Sequence, residues 1–166
     1  MMAAFQYRGI DSPVGKLYLV GDGESVSHIF FDKTGMTRLP GAAEHNQQAY
    51  PQAVKELEEY FAGQRTEFGF PISLVAEGFS RKVLTALRRV GYGQTVSYKE
   101  LARRAGSPQA YRAVGGACGR NPLPIVIPCH RVTNSDGRLG GWSGRPGAKE
   151  KLLLHEHNTL TAKGNK

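Results

Sequence analysis

Composition and charge both change at Ala76-Glu77-Gly78, and this constrains the fold more than any other feature of the chain. Residues 1–77 hold 6 Lys and Arg against 10 Asp and Glu, net −4, whereas residues 78–166 hold 16 against 4, net +12. A chain of 166 residues is long enough to bury a real core and has room for two small ones. The predicted organisation is therefore two domains, 1–77 and 78–166. The basic half points to a polyanion as its partner.

The first half reads as a small α/β unit of antiparallel strands with one helix. Phe5-Gln6-Tyr7 is extended, Ser12-Pro13-Val14-Gly15 is a turn, and Lys16 to Val20 is a strand. Asp22-Gly23 marks a hairpin that returns over Ser25 to Phe31. Residues 33–47 are polar and irregular. Tyr50, Val54, Leu57, Tyr60 and Phe61 recur at helical spacing up to Gly63, and Thr66 to Leu74 alternates like a strand. Nothing here resembles a site, and the isolated His28 and His45 are read as structural or surface residues.

The second half is mostly helical. Ser80 is placed to cap a helix through Val90, with Val83, Leu84, Leu87 and Val90 on one face. Ser97-Tyr98-Lys99-Glu100 has the form of a capping box, opening a helix that Gly106 stops. Ser107-Pro108 then starts another, which completes a helix-turn-helix pattern. That second helix is slim: Ala110, Ala113, Gly115, Gly116 and Ala117 leave only Gln109, Tyr111 and Arg112 projecting near its start. A major-groove reader needs several long polar side chains, so close, sequence-tolerant minor-groove contact fits better. A last helix spans about Ala148 to His157 with Leu152, Leu153 and Leu154 inward, followed by a frayed tail.

No run approaches the roughly 18 apolar residues of a membrane span, and no signal peptide is read at the N-terminus, so a cytoplasmic protein with no membrane partner is expected. The two cysteines, Cys118 and Cys129, match no zinc framework, and a disulfide is not expected in a reducing compartment. Cys129 is the informative one. It follows an apolar strand, Ile125-Val126-Ile127, and precedes His130, so a thiol stands beside a base. In an extended segment the two side chains point to opposite sides, and a bridging water is a natural relay. An imidazole base needs an acceptor on its far nitrogen. Glu156 is the candidate, since a carboxylate in the last turn of a helix stands against the macrodipole. A cysteine hydrolase and a lesion sensor that only binds DNA are the competing readings; the first leaves the +12 half unexplained.

With these motifs the chain resembles the O6-alkylguanine-DNA alkyltransferases. The likeness lies in Tyr92 to Tyr98, Ala113 to Ala117, Asn121-Pro122, Ile125 to Val132, Ser143-Gly144 and Lys151 to Glu156, with echoes at Asp11 to Gly15 and Tyr60 to Gly63. It implies an α+β fold: a small ribonuclease-H-like α/β domain with antiparallel strands, then a mostly helical, winged-helix-like domain with the helix-turn-helix. It implies a monomer that binds double-stranded DNA containing O6-alkylguanine, flips out the damaged nucleotide, and moves the alkyl group irreversibly onto Cys129 without cofactor or metal. O4-alkylthymine is a further substrate it admits. On that likeness His130 and Glu156 activate Cys129, Asn121 supports the turn, and Tyr98 helps extrude the nucleotide and donates to it. Arg112 takes the emptied place in the stack. Pro124 and Trp142 wall the pocket, Ser143 and Gly144 line it, and the carbonyls of Cys129 and Val132 accept from the guanine amino group. Trp142 stands where tyrosine is usual and Arg145 where glycine is usual. Zinc ligands of some relatives have no counterpart here.

Overall fold

The structure is a computed structural model that describes residues 4–139 and 145–164. Trp142, Ser143 and Gly144, expected in the pocket, lie outside the described residues. The chain forms two compact units, residues 1–75 and 76–166.

In the first unit four strands, β1 (Phe5–Ile10), β2 (Leu17–Gly21), β3 (Val26–Phe30) and β4 (Ala43–His45), make one sheet in the order β3-β2-β1-β4. β1 and β2 pair antiparallel with Tyr7 opposite Val20, and β2 and β3 pair antiparallel. β4 runs parallel to β1 and was not foreseen in the polar stretch 33–47, because three residues with two exposed carry no period. The hairpin turn is set by Gly15 at φ 101, whose N–H bonds Ser12 O at 3.0 Å.

Helix α1 (Pro51–Phe61) buries Ala53, Val54, Leu57 and Tyr60. Its cap, Tyr50, takes the left-handed φ of 55, which costs a non-glycine residue some strain. The conformation is held by burial and by its hydroxyl, which donates to Gln6 O at 2.8 Å and accepts from Gly23 N at 3.1 Å. Thr66 to Leu74 is not a strand: only Ile72 bridges, to Val26. Buried Glu56 of α1 ties that segment down instead, accepting from Gly69 N at 2.6 Å, Phe70 N at 3.3 Å and Gln52 Nε2 at 2.6 Å. Desolvation alone would raise the Glu56 pKa, but these donors and Arg65 bring it below the ordinary carboxylate value.

The second unit packs α2 (Gly78–Leu87), α3 (Tyr98–Arg104), α4 (Tyr111–Gly119) and α5 (Ala148–Gly164) around Leu87, Leu101, Leu123, Ile127 and Leu152. A two-strand parallel ribbon, β5 (Val96–Ser97) with β6 (Val132–Thr133), joins the entry to α3 with the segment after Cys129. Helix starts differ from expectation. α2 begins at Gly78 with Glu77, not Ser80, at the cap. Ser97 Oγ accepts from Glu100 N at 3.0 Å, but the Glu100 carboxylate turns to Arg103 and Arg104 rather than back to the cap, so the capping box is half made. α3 ends in a Schellman arrangement, Ser107 N to Ala102 O at 3.0 Å and Gly106 N to Arg103 O at 3.0 Å, with Gly106 at φ 89. Ser107 to Ala110 is spent on a turn, so α4 starts at Tyr111, three residues after Pro108. α5 continues to Gly164, well beyond His157, and Leu154 is exposed: three successive residues sweep a helix surface and cannot all face inward.

Since the Glu56 carboxylate binds protons more weakly folded than unfolded, its contribution is complete above its ordinary pKa of 4.5 and is lost as pH falls through and below that value. Glu56→Gln is expected to cost about 1–3 kcal/mol at neutral pH and to flatten the acid dependence of the urea midpoint. Equal midpoints and equal acid slopes for wild type and variant would overturn this role.

Candidate active site

The approach to Cys129 is a tight turn, not the expected strand. Asn121 holds it from both sides, its Nδ2 donating to Ile127 O at 2.7 Å and its Oδ1 accepting from Leu123 N at 3.0 Å. Ile127 N closes on Leu123 O at 2.8 Å, and Pro124 bridges Ile127. At the apex Ile125 takes φ 77, which for a β-branched residue costs about 1–3 kcal/mol. Leu123, Ile125 and Ile127 are all buried, and that burial offsets the strain. An apolar run of this length carries no period that separates a buried turn from a buried strand.

Cys129, His130 and Arg131 then form one turn of 3-10 helix rather than extended chain, so the argument from opposite sides of a strand does not apply. Cys129 is buried, and its N–H bonds Ile127 O at 2.8 Å. His130 is fully buried, with Nε2 2.7 Å from Glu156 Oε2. The ionised carboxylate can only accept, so Nε2 carries the proton and Nδ1 is left as the basic atom. Among the described residues Nδ1 has no hydrogen-bond partner. Burial holds the imidazole below its ordinary pKa of 6.5; Glu156 pulls the other way, while Arg131 and Lys149 add to the lowering. The resting imidazole is therefore neutral and able to take a proton.

Glu156 is reached differently from what its expected place in a last turn implied. It lies in the middle of α5, so the helix dipole does not single it out. Arg131 does: Nε donates to Oε1 at 2.9 Å and Nη2 to Oε2 at 2.9 Å. Gly93 N adds a bond to Oε1 at 3.1 Å, and Arg131 Nη1 reaches Val90 O at 2.7 Å. Desolvation alone would raise the Glu156 pKa, yet His130 and Arg131 hold it far below the usual carboxylate range. Arg131 also lies 5.6 Å from the Tyr92 ring centroid.

Two residues of this centre were missed from sequence. Arg131 was read only as part of the cysteine motif. Lys149 was read as one more cation in a basic half, yet it is buried, donating to Val132 O at 2.7 Å and Leu139 O at 2.5 Å. Burial lowers the Lys149 pKa against the pull of Cys129 and Cys118. The available signal was spacing: Lys149, Leu152 and Glu156 fall on one helical stripe around a buried leucine.

The remaining expected residues are placed as follows. Tyr98 opens α3 half-buried; burial, then Cys118 and Cys129, raise its hydroxyl pKa, which keeps it a donor. Pro124 and Val132 are buried, and Arg112 is exposed on the first turn of α4, outside the buried cluster. The Cys129 carbonyl accepts from Val132 N, and the Val132 carbonyl accepts from Lys149 Nζ. Cys118 is buried, and desolvation pushes its thiol up to about 12, so it is inert at neutral pH.

Residues 78–158 match the family described as 6-O-methylguanine DNA methyltransferase, DNA binding domain, and residues 6–74 match its ribonuclease-like domain. A methylated-DNA–protein-cysteine methyltransferase of Methanosarcina barkeri is 40% identical over 156 residues, covering 93% of this chain and 98% of that one. One from Mycolicibacterium paratuberculosis is 42% identical over 152 residues, 91% of this chain and 92% of that one. The crystal structure of Mycobacterium tuberculosis OGT in complex with DNA aligns with a TM-score of 0.86 at 39% identity, covering 93% of this chain and 94% of that chain.

Breaking the Glu156–Arg131 pair leaves one buried charge without its partner, which costs about 3–5 kcal/mol. Arg131→Met and Glu156→Gln are each expected to lose about that much in denaturant melts. The double variant should lose clearly less than their combined loss, because both break the same contact. Strict additivity would count against the pairing.

Proposed function

Because the chain belongs to the 6-O-methylguanine DNA methyltransferase family, we propose that Cys129 is the atom that takes the alkyl group and that the residues gathered behind it prepare the thiol. The protein repairs DNA by direct reversal, moving the alkyl group from the base to a cysteine in a methylated-DNA–protein-cysteine methyltransferase reaction. The observation that carries the assignment is the buried array behind Cys129: neutral His130, with Nδ1 free to accept, locked by Glu156.

The substrate is O6-alkylguanine in double-stranded DNA, and the protein acts on it as a monomer wherever the DNA lies, in the cytoplasm and its nucleoid. Residues 78–166 bind DNA and accept the alkyl group; residues 1–77 are structural. The slim surface of α4 fits a minor groove, and its exposed Arg112 fills the stack when the nucleotide leaves. Tyr98 steadies the extruded nucleotide.

The Cys129 proton passes through a bridging water to His130 Nδ1, and Glu156 stabilises the imidazolium that forms. The sulfur then displaces the guanine oxygen at the alkyl carbon: a C–S bond forms, the C–O bond breaks, and the electron pair goes to the base. Tyr98 donates a proton to the departing guanine, and solvent restores the Tyr98 proton as the His130 imidazolium releases the one it took from Cys129. Asn121 and the Ile125 turn hold the sulfur in line, and Pro124 with Val132 wall the pocket. The thioether is stable, so each molecule reacts once.

Incubation with an O6-methylguanine duplex is expected to add one methyl group per protein in the intact mass, and none to Cys129→Ala. Restored DNA beside an unmodified protein would sink the assignment. Single-turnover transfer should hold its full rate at pH 6.5 and decline only at lower pH, as His130 becomes protonated below its ordinary value. A decline already beginning near pH 8 would exclude a lowered His130 as the base.

A further inference from the structure

Helix α2 carries a second pattern on the side away from its core. Val83, Leu84 and Leu87 are buried, whereas Gly78, Arg81, Lys82, Thr85, Ala86 and Arg89 recur at intervals of three and four and line one cavity of about 460 Å³. Arg104 and Ala105, at the end of α3, complete the lining. No residue of α4, the helix given to the DNA groove, takes part, and none of the alkyl-transfer centre does. We propose that this trough is a docking site for an acidic, extended segment of a partner protein. The segment lies along α2 with carboxylates at the two cationic ends and a small apolar side chain between them.

The charge of the trough calls for an anion. Four of its lining residues are cations and none is an acid. Arg104 is committed to Glu100, at 2.8 Å, and Arg81 Nη1 donates to Ala76 O at 3.3 Å. Lys82 and Arg89 are exposed, and their side chains make no ion pair or hydrogen bond among the described residues. Two uncompensated cations in a concave site favour an anionic guest.

Shape decides which anion. A duplex presents convex rows of phosphates, which long side chains on a projecting helix or loop can reach. Here the middle of the stripe is short, Thr85 and Ala86, so the cations flank a recess rather than crown a ridge. Its volume is that of a pocket for a small ligand or a few side chains. The recess is open at Gly78, where an added Cβ would meet nothing within 4 Å.

Spacing narrows the guest further. Arg89 lies on the turn that continues α2, its N–H bonded to Ala86 O at 3.1 Å. Lys82 and Arg89 are therefore separated by about 10 Å along the axis. An extended chain covers that span in about three residues. Acidic residues at that interval, with small apolar residues between, meet both cationic ends and the short-residue floor at once.

The test is fluorescence anisotropy of the full chain with a labelled peptide, Gly-Asp-Asp-Val-Ala-Asp-Asp-Gly, beside a control in which asparagine replaces every aspartate. Wild type should bind the acidic peptide and not the control. Lys82→Gln and Arg89→Gln should each weaken peptide binding about three- to fivefold, the size of an exposed ion pair, while affinity for an unmodified duplex is kept. Thr85→Arg adds a cation but fills the recess. Peptide binding should therefore fall in this variant, whereas a surface that only attracts polyanions would bind more tightly. Melting curves check that these exposed positions leave the fold intact. Equal affinity for both peptides, or tighter binding by Thr85→Arg, would overturn the docking site. Loss of duplex affinity in step with peptide affinity would also overturn it, giving the surface to DNA. Self-association of wild type that Lys82→Gln and Arg89→Gln abolish, read by sedimentation, would overturn it in favour of a second copy of this chain. The duplex carries no lesion, so none of these outcomes depends on alkyl transfer.

Discussion

The second unit depends on one buried carboxylate. Glu156 accepts hydrogen bonds from both Nε and Nη2 of Arg131, from His130 Nε2 and from Gly93 N. A carboxylate without partners would be far too costly to bury, and so would a lone guanidinium. Each therefore requires the other. Between them they join α5, the turn after α2 and the 3-10 turn that carries Cys129. The same contacts settle the chemistry of His130: with Nε2 committed to Glu156, only Nδ1 remains to receive a proton. The clasp thus also decides which imidazole nitrogen can accept.

The turn in front of Cys129 shows the complementary use of burial. Ile125 occupies a backbone conformation that a β-branched residue resists, and Asn121 holds the loop on both sides. Buried Leu123, Ile125 and Ile127 anchor it in the core. The Cys129 sulfur is consequently held by the protein interior and not by a surface loop. The two thiols differ for a related reason. Desolvation pushes the Cys118 thiol up to about 12, whereas Cys129 is followed in the chain by an imidazole whose Nδ1 has no hydrogen-bond partner among the described residues.

Much of this was legible along the chain. The β1–β2–β3 meander, α1 and the helix-turn-helix announce themselves through alternation, 3.6-residue spacing and glycine stops, because those periods reflect one buried face. What failed were segments in which neighbours, not the local pattern, set the geometry. β4 is a strand only because β1 lies beside it. Thr66 to Leu74 alternates yet hangs on Glu56. Ile125 to Ile127 looks like a strand and is a turn. The site shows the same division. Cys129 and His130 are adjacent in sequence, and Glu156 does lie against His130, though its mid-helix position removes the dipole reason for expecting it there.

The amino-acid sequence by itself determined that the chain has an acidic half and a basic half, that a thiol and an imidazole stand together, and that a slim helix carries one forward arginine. These are matters of composition and local order, which need no partner. Only the tertiary structure decided which groups are removed from water and who compensates them. Lys149 and Arg131 look like two more surface cations until the fold buries them. Arg131 then becomes the counter-charge that keeps Glu156 ionised, and Lys149 the donor that holds the segment following Cys129. Their roles come from desolvation, a property of the packed molecule that no residue carries alone.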